Sequence, residues 1–182
     1  MKILGIDPGT NLLGFALIEA HQDVVKVLDV GTIQLSGHRD HQTKLKEIFL
    51  QLQEIIETFL PAVMAIEAPF YGKNVQSMLK LGRAQGVAMA AAMTMGLQIA
   101  EYSPKKVKQS VTGNGNAAKE QVAAMLEHLI SYPVQSLGLD ASDALAVAYC
   151  HYLKLNSPAP GRSTRSYGSW KSFIKENPDR VD

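Results

Sequence analysis

Four acidic residues stand where an apolar chain should not carry charge. Asp7 ends the short apolar run that starts at Lys2, and Glu67 ends the continuous apolar run of residues 62–66. A carboxylate at the last position of a buried strand is costly unless something compensates it. If the two runs are neighbouring strands, both carboxylates emerge at one edge, and open α/β sheets form their crevices at the carboxyl ends of strands. Asp140 and Asp143 add an i, i+3 pair, which on a helix lies ~60° apart and shares a face. Four converging carboxylates repel one another, so a site that keeps them ionised needs a cation. A hard divalent ion with oxygen ligands answers that need, and magnesium suits a partner that brings phosphate oxygens. Neither histidine nor cysteine occupies these positions, which argues against zinc. Each residue also has a plainer use. Asp7-Pro8-Gly9 can be an Asx-type turn, and Asp140 suits a helix N-cap, where it and Asp143 favour the dipole. Spacing alone does not bring the four together.

The elements that would position these groups are legible from periodicity. Lys2–Asp7, Leu12–Glu19 and Val24–Leu35 are β-rich runs separated by turn signals, an antiparallel meander. Residues 41–59 switch to helical spacing through Leu45, Ile48, Phe49, Leu52, Ile55, Ile56 and Phe59, with Pro61 just beyond. Residues 62–66 predict a buried strand, 74–95 a helix, and 97–102 a short strand stopped by Ser103-Pro104. A basic segment and the Gly113-Asn114-Gly115-Asn116 turn follow, then helices over 117–130 and 140–153. Strands first, then helices alternating with two more strands, make an α/β domain. Gly82, Gly86 and Ala90 lie four apart and form a smooth stripe. It is either a dimer seam or a contact within one subunit.

Composition limits the function class. The 182 residues are 46% hydrophobic and 19% charged with a formal net charge of +1, enough for one sizeable core. The single cysteine, Cys150, forms no intrachain bridge and fits a reducing compartment. No secretory or membrane-spanning run is visible, so a soluble cytoplasmic protein is expected. The charge is uneven. Residues 71–110 hold six basic and one acidic side chain, against five basic and nine acidic in residues 1–70. A polyanion could use that middle segment, although a solvated surface would read the same. Residues 154–182 read as a basic, partly flexible tail after a domain spanning 1–153.

Five stretches now fall in order: Gly5-Ile6-Asp7-Pro8-Gly9-Thr10, Ala65-Ile66-Glu67, residues 79–88, Val107-Lys108-Gln109, and residues 140–146. Over about residues 1–153 the chain resembles the RuvC family of Holliday-junction endonucleases, within the ribonuclease H-like superfamily. The resemblance implies a five-stranded mixed sheet with helices on both faces. It implies a catalytic and metal-binding set of Asp7, Glu67, Asp140 and Asp143, holding two magnesium ions per subunit, with manganese able to substitute. Two such ions would flank the scissile phosphate, one activating water and the other stabilising the leaving 3′ oxygen. Paired nicks with 5′-phosphate and 3′-hydroxyl ends would result. Phe70 matches a family aromatic that contacts bases near the junction centre, and an aromatic face there, Phe70 or Tyr71, can stack on an unpaired base. Lys108 and Lys119 match lysines that approach DNA near the active site. Lys73, Lys80, Arg83 and Lys105 are further candidate DNA contacts in the basic segment. A homodimer on four-way junction DNA, served by a RuvA–RuvB branch-migration motor, is also implied.

Two other readings stay open on the residues. A phosphotransferase of the actin and sugar-kinase type shares the Gly-Ile-Asp turn but needs two related halves. A junction-binding module without catalysis would not need four aligned acids.

Overall fold

A computed structural model describes residues 1–21, 24–37, 40–69 and 74–156. Three strands come first: β1 (Lys2–Asp7), β2 (Leu12–His21) and β3 (Val24–Gln34). Then follow α1 (His41–Phe59), β4 (Val63–Glu67), α2 (Val75–Thr94), β5 (Gln98–Tyr102), α3 (Pro104–Thr112), α4 (Lys119–Ile130) and α5 (Leu139–Asn156). The sheet order is β3-β2-β1-β4-β5. β1–β2 and β2–β3 pair antiparallel, whereas β1–β4 and β4–β5 pair parallel. The meander is therefore as the periodicity predicts, and the mixed five-stranded sheet as the resemblance implies.

Both sheet faces are covered because the strands alternate two apolar sets. Leu4, Ile6, Met64 and Ile66 point to one face, where Ile48, Leu52 and Ile56 of α1 and Ala84, Ala88 and Ala91 of α2 complete a core. Ile3, Val63 and Ala65 point to the other, against α3, α4 and α5. Each fully buried leucine or isoleucine contributes roughly 1.5–3 kcal/mol. Asp40 caps α1 by accepting the Thr43 N–H at 2.8 Å, and the Leu60 N–H closes its far end on the Ile56 carbonyl.

α5 is buried almost continuously from Ala141 to Tyr152 and lies directly on the sheet. Two glycines permit this approach. A β-carbon at Gly5 would strike the Ala144 carbonyl and the Ala148 methyl, and one at Gly14 would strike the Asp140 carbonyl. Glycine removes that obstacle.

Three sequence expectations change. The basic segment after β5 is a helix, α3, with Ser103 capping the Lys106 N–H at 3.3 Å and Pro104 in its first turn. Proline there suits a helix start, because its missing N–H has no intrahelical partner to lose. Asp140 is not an N-cap: α5 begins at Leu139, and Asp140 lies inside its first turn. α5 also runs to Asn156, past the expected boundary at residue 153, and the tail from residue 157 lies outside the described residues. No helix among the described residues is long and apolar enough to cross a membrane.

Candidate functional site

Asp7 and Glu67 each follow a paired residue, Ile6 and Ile66, on adjacent parallel strands. They therefore emerge side by side at one sheet edge. The two-residue period puts Asp7 on the Gly5 face and Glu67 on the Ala65 face. That is the face α5 covers, so Asp143 meets them there. Asp7, Glu67 and Asp143 line one cavity of about 200 Å³ with Lys108 and Lys119. On the other side of the Asp7–Glu67 pair, a second hollow of about 140 Å³ is bounded by Pro8, Pro69 and Leu81.

The electrostatics of the pair are unfavourable in isolation. Burial, then the charges of Glu67 and Asp143, pushes Asp7 up to about 8; Lys119 works the other way and Asp140 adds a smaller rise. Burial, then Asp143, pushes Glu67 up to about 7, opposed by Lys119 and Lys108. Asp140 thus acts on Asp7 through space, but it does not line either cavity. Lys119 forms an ion pair with Asp143. Burial opposes the charge on Lys119, yet its bond to Asp143 and the attraction of Asp143, Asp7 and Asp140 raise its pKa overall.

Among the described residues, no three His, Cys, Asp or Glu side chains close to metal-holding spacing. The donor set nevertheless fits a hard divalent ion. Three carboxylates face one cavity, all donors are oxygen, and two of the carboxylates are held in a buried site that favours protonation until a cation offsets it. Lys119 pairs with one of the two carboxylate oxygens of Asp143.

The candidate DNA contacts divide into three groups. Lys108 and Lys119 line the cavity itself. Lys105 is exposed on α3, beside Gly115. Lys80 and Arg83 are exposed on α2, where their charges act on His41 at the start of α1, and neither lines a cavity at Asp7. Phe70, Tyr71 and Lys73 lie outside the described residues. Among the described residues nothing packs closely on the glycines of the Gly82–Gly86–Ala90 stripe: β-carbons at Gly82 and Gly86 would meet none of their atoms within 4 Å.

Some supporting residues gave no sequence signal. Lys44 reaches from α1 to the Thr10 carbonyl and Asn11 Oδ1, both at 2.9 Å, and so holds the loop after Asp7. Tyr102 and His151 form a buried hydrogen bond between β5 and α5. Burial pushes the Tyr102 hydroxyl up to about 12, and burial, then Lys154, lowers the pKa of His151.

Comparison with known proteins points the same way. The family model described as crossover junction endodeoxyribonuclease RuvC matches residues 3–151. A protein of that name from Cytophaga hutchinsonii is 54% identical over 98% of this chain and 87% of its own length. Another, from Christiangramia forsetii, is 49% identical over 98% of this chain and 92% of its own length. The structure of T. thermophilus RuvC in complex with a Holliday junction substrate superimposes with a TM-score of 0.79 at 28% identity, covering 85% of this chain and 94% of that one.

Proposed function

The chain belongs to the RuvC family of crossover junction endodeoxyribonucleases, and on that footing we propose how its residues act. It is an endonuclease that resolves Holliday junctions by metal-dependent nicks, in recombination and repair. Asp7, Glu67 and Asp143 hold the metal at their shared cavity, and Asp140 completes the set from the first turn of α5. The ions are magnesium, two per subunit, with manganese able to replace them. When bound, they supply Lewis-acid charge at the scissile phosphate, which lowers the pKa of attacking water and stabilises the leaving 3′ oxygen. The products carry 5′-phosphate and 3′-hydroxyl ends.

The residues around the acids do the positioning. Lys108 and Lys119 offer charge to the phosphate beside the cleavage point, and Lys119 is already placed to exchange Asp143 for a phosphate oxygen. Lys80, Arg83 and Lys105, with Lys73, hold more distant phosphates. Such contacts give salt-sensitive affinity without reading sequence. Phe70 and Tyr71 follow Glu67 closely in the chain, and their aromatic faces stack on bases at the branch point. The enzyme works as a homodimer so that two sites nick two strands, and the open stripe on α2 is the proposed seam. Residues 1–156, to the end of α5, form the nuclease domain, and the residues beyond it a basic appendage. Acting on chromosomal DNA, it works in the bacterial cytoplasm, downstream of a RuvA–RuvB motor.

The observation that carries this reading is the single cavity walled by Asp7, Glu67 and Asp143 with two lysines beside them. Family membership decides against the phosphotransferase alternative. Incubating the protein with a synthetic four-way junction and with linear duplex, each with and without magnesium, tests the rest. Magnesium-dependent nicking of the junction alone is expected. Binding without nicking would favour the non-catalytic module.

A further inference from the structure

Tyr102 and His151 are joined in the interior by a 2.7 Å hydrogen bond between the phenol oxygen and Nδ1, with their rings edge to face at 5.8 Å. Tyr102 ends β5 in register with Glu67, and its carbonyl accepts the N–H of Ala68 at 2.8 Å. It therefore grips the chain at and just beyond Glu67. On α5, His151 lies eight residues after Asp143, about 12 Å along the axis. One turn further, Lys154 Nζ stands 5.5 Å from the centre of the Tyr102 ring. Earlier along α5, Gly14 seats Asp140 and Gly5 seats Ala144 and Ala148, the last of these less than one turn before His151. The helix thus has glycine seats from its first turn to past its middle, and this polar contact lies just beyond them.

A polar contact is an odd choice for a packing role. Tyr102 is 5% exposed and His151 8%, so both rings give up hydration to make it. Apolar side chains of similar shape would pack there without that cost, whereas a satisfied buried hydrogen bond fixes one geometry. We propose that Tyr102 and His151 are positioning residues: their hydrogen bond ties α5 to the β5 residue paired with Glu67 and fixes the helix's rotation about its own axis, and so sets how Asp143 faces Glu67. The inference rests on the reading of Glu67 and Asp143 as nuclease residues.

The test uses the full chain carrying Tyr102→Phe, His151→Leu or His151→Asn. Three quantities are measured: single-turnover nicking of a four-way junction, affinity for that junction, and the rise in melting temperature that magnesium alone produces without DNA. Nicking by the Phe and Leu variants is expected to fall between about tenfold and a hundredfold, the scale of a small misplacement of reacting groups. Junction affinity should hold, and the magnesium-induced rise should shrink. His151→Asn puts an amide atom close to the lost Nδ1 and should recover most of the rate. Val147→Ala, which removes buried packing from α5 away from the bond, serves as the stability control. The proposal is overturned if the folded Phe or Leu variants nick at the parent rate, if Val147→Ala loses as much rate at equal melting temperature, or if asparagine restores nothing. Glu67→Gln run alongside separates the two readings. Normal nicking by that variant defeats the site assignment, and with it this inference. An inert Glu67→Gln beside a fully active Tyr102→Phe defeats the positioning role alone.

Discussion

Asp7 and Glu67 end two adjacent parallel strands, each one residue past the paired Ile6 and Ile66, so that neither can move from the other without breaking the sheet. Sheet pairing forces two buried carboxylates together, and α5 brings Asp143 to the same cavity. Such an arrangement is costly in an empty protein and useful around a cation.

The cost has a measurable sign. Both groups hold a proton more tightly in the folded chain, at about 8 and about 7, than at their ordinary values of 3.8 and 4.5. Their contribution to stability is fully present below those ordinary values and is lost as pH rises through the folded ones. Metal-free protein should therefore lose melting temperature between about pH 4 and pH 8. Asp7→Asn, which cannot ionise, should lose less, with roughly 2–4 °C separating the two for each kcal/mol relieved. Calorimetry in chelator across that range checks it; parallel curves would contradict the buried-carboxylate account.

Lys119→Met separates stability from binding. Its ion pair with Asp143 is half-exposed on the lysine side, so its loss should cost no more than about 1 kcal/mol. Junction affinity should fall, and the slope of log affinity against log salt should drop by about one if the lysine neutralises one phosphate. An unchanged slope would remove Lys119 from the DNA contacts.

Gly14→Ala tests the seat of α5. The added methyl would meet the Asp140 carbonyl, backbone that cannot swing aside. A loss of about 1–3 kcal/mol in denaturant unfolding is expected, the scale of overpacking. Gly37, where a β-carbon meets no atom of the described residues within 4 Å, makes the control, and equal losses at both sites would contradict the close approach.

Gly86→Leu addresses assembly. The position is open on the subunit surface, so leucine there should leave the fold intact while shifting sedimentation from dimer to monomer. A dimer unchanged across the concentration range would exclude the α2 stripe as the seam.

The sequence made the sheet edge legible because charge at the end of an apolar run is conspicuous: Asp7 and Glu67 could be singled out before their strands were known to touch. The helix pair was readable as a shared face, but its start was misjudged. Leu139 rather than Asp140 opens α5, and an aspartate suits the first turn about as well as the cap. α3 is marked at both ends by Ser103, Pro104 and Gly113, but its nine residues include three lysines and only two buried positions, Val107 and Val111, too few for a helical period to stand out. Tyr102–His151 and Lys44–Asn11 carried no signal at all. Their partners lie 49 and 33 residues apart, and no local pattern encodes a tertiary contact of that kind.

The central claim is that the carboxylates around this cavity cut a branched DNA backbone rather than merely face it. Cleavage and gel-shift assays of Asp7→Asn and Glu67→Gln on one synthetic junction in magnesium test it most directly. Nicking should fall by on the order of a hundredfold to a thousandfold or more, the scale seen when one charge-stabilising group is removed from an active site, while junction affinity stays near that of the parent. Parent-like nicking by either variant would contradict the account.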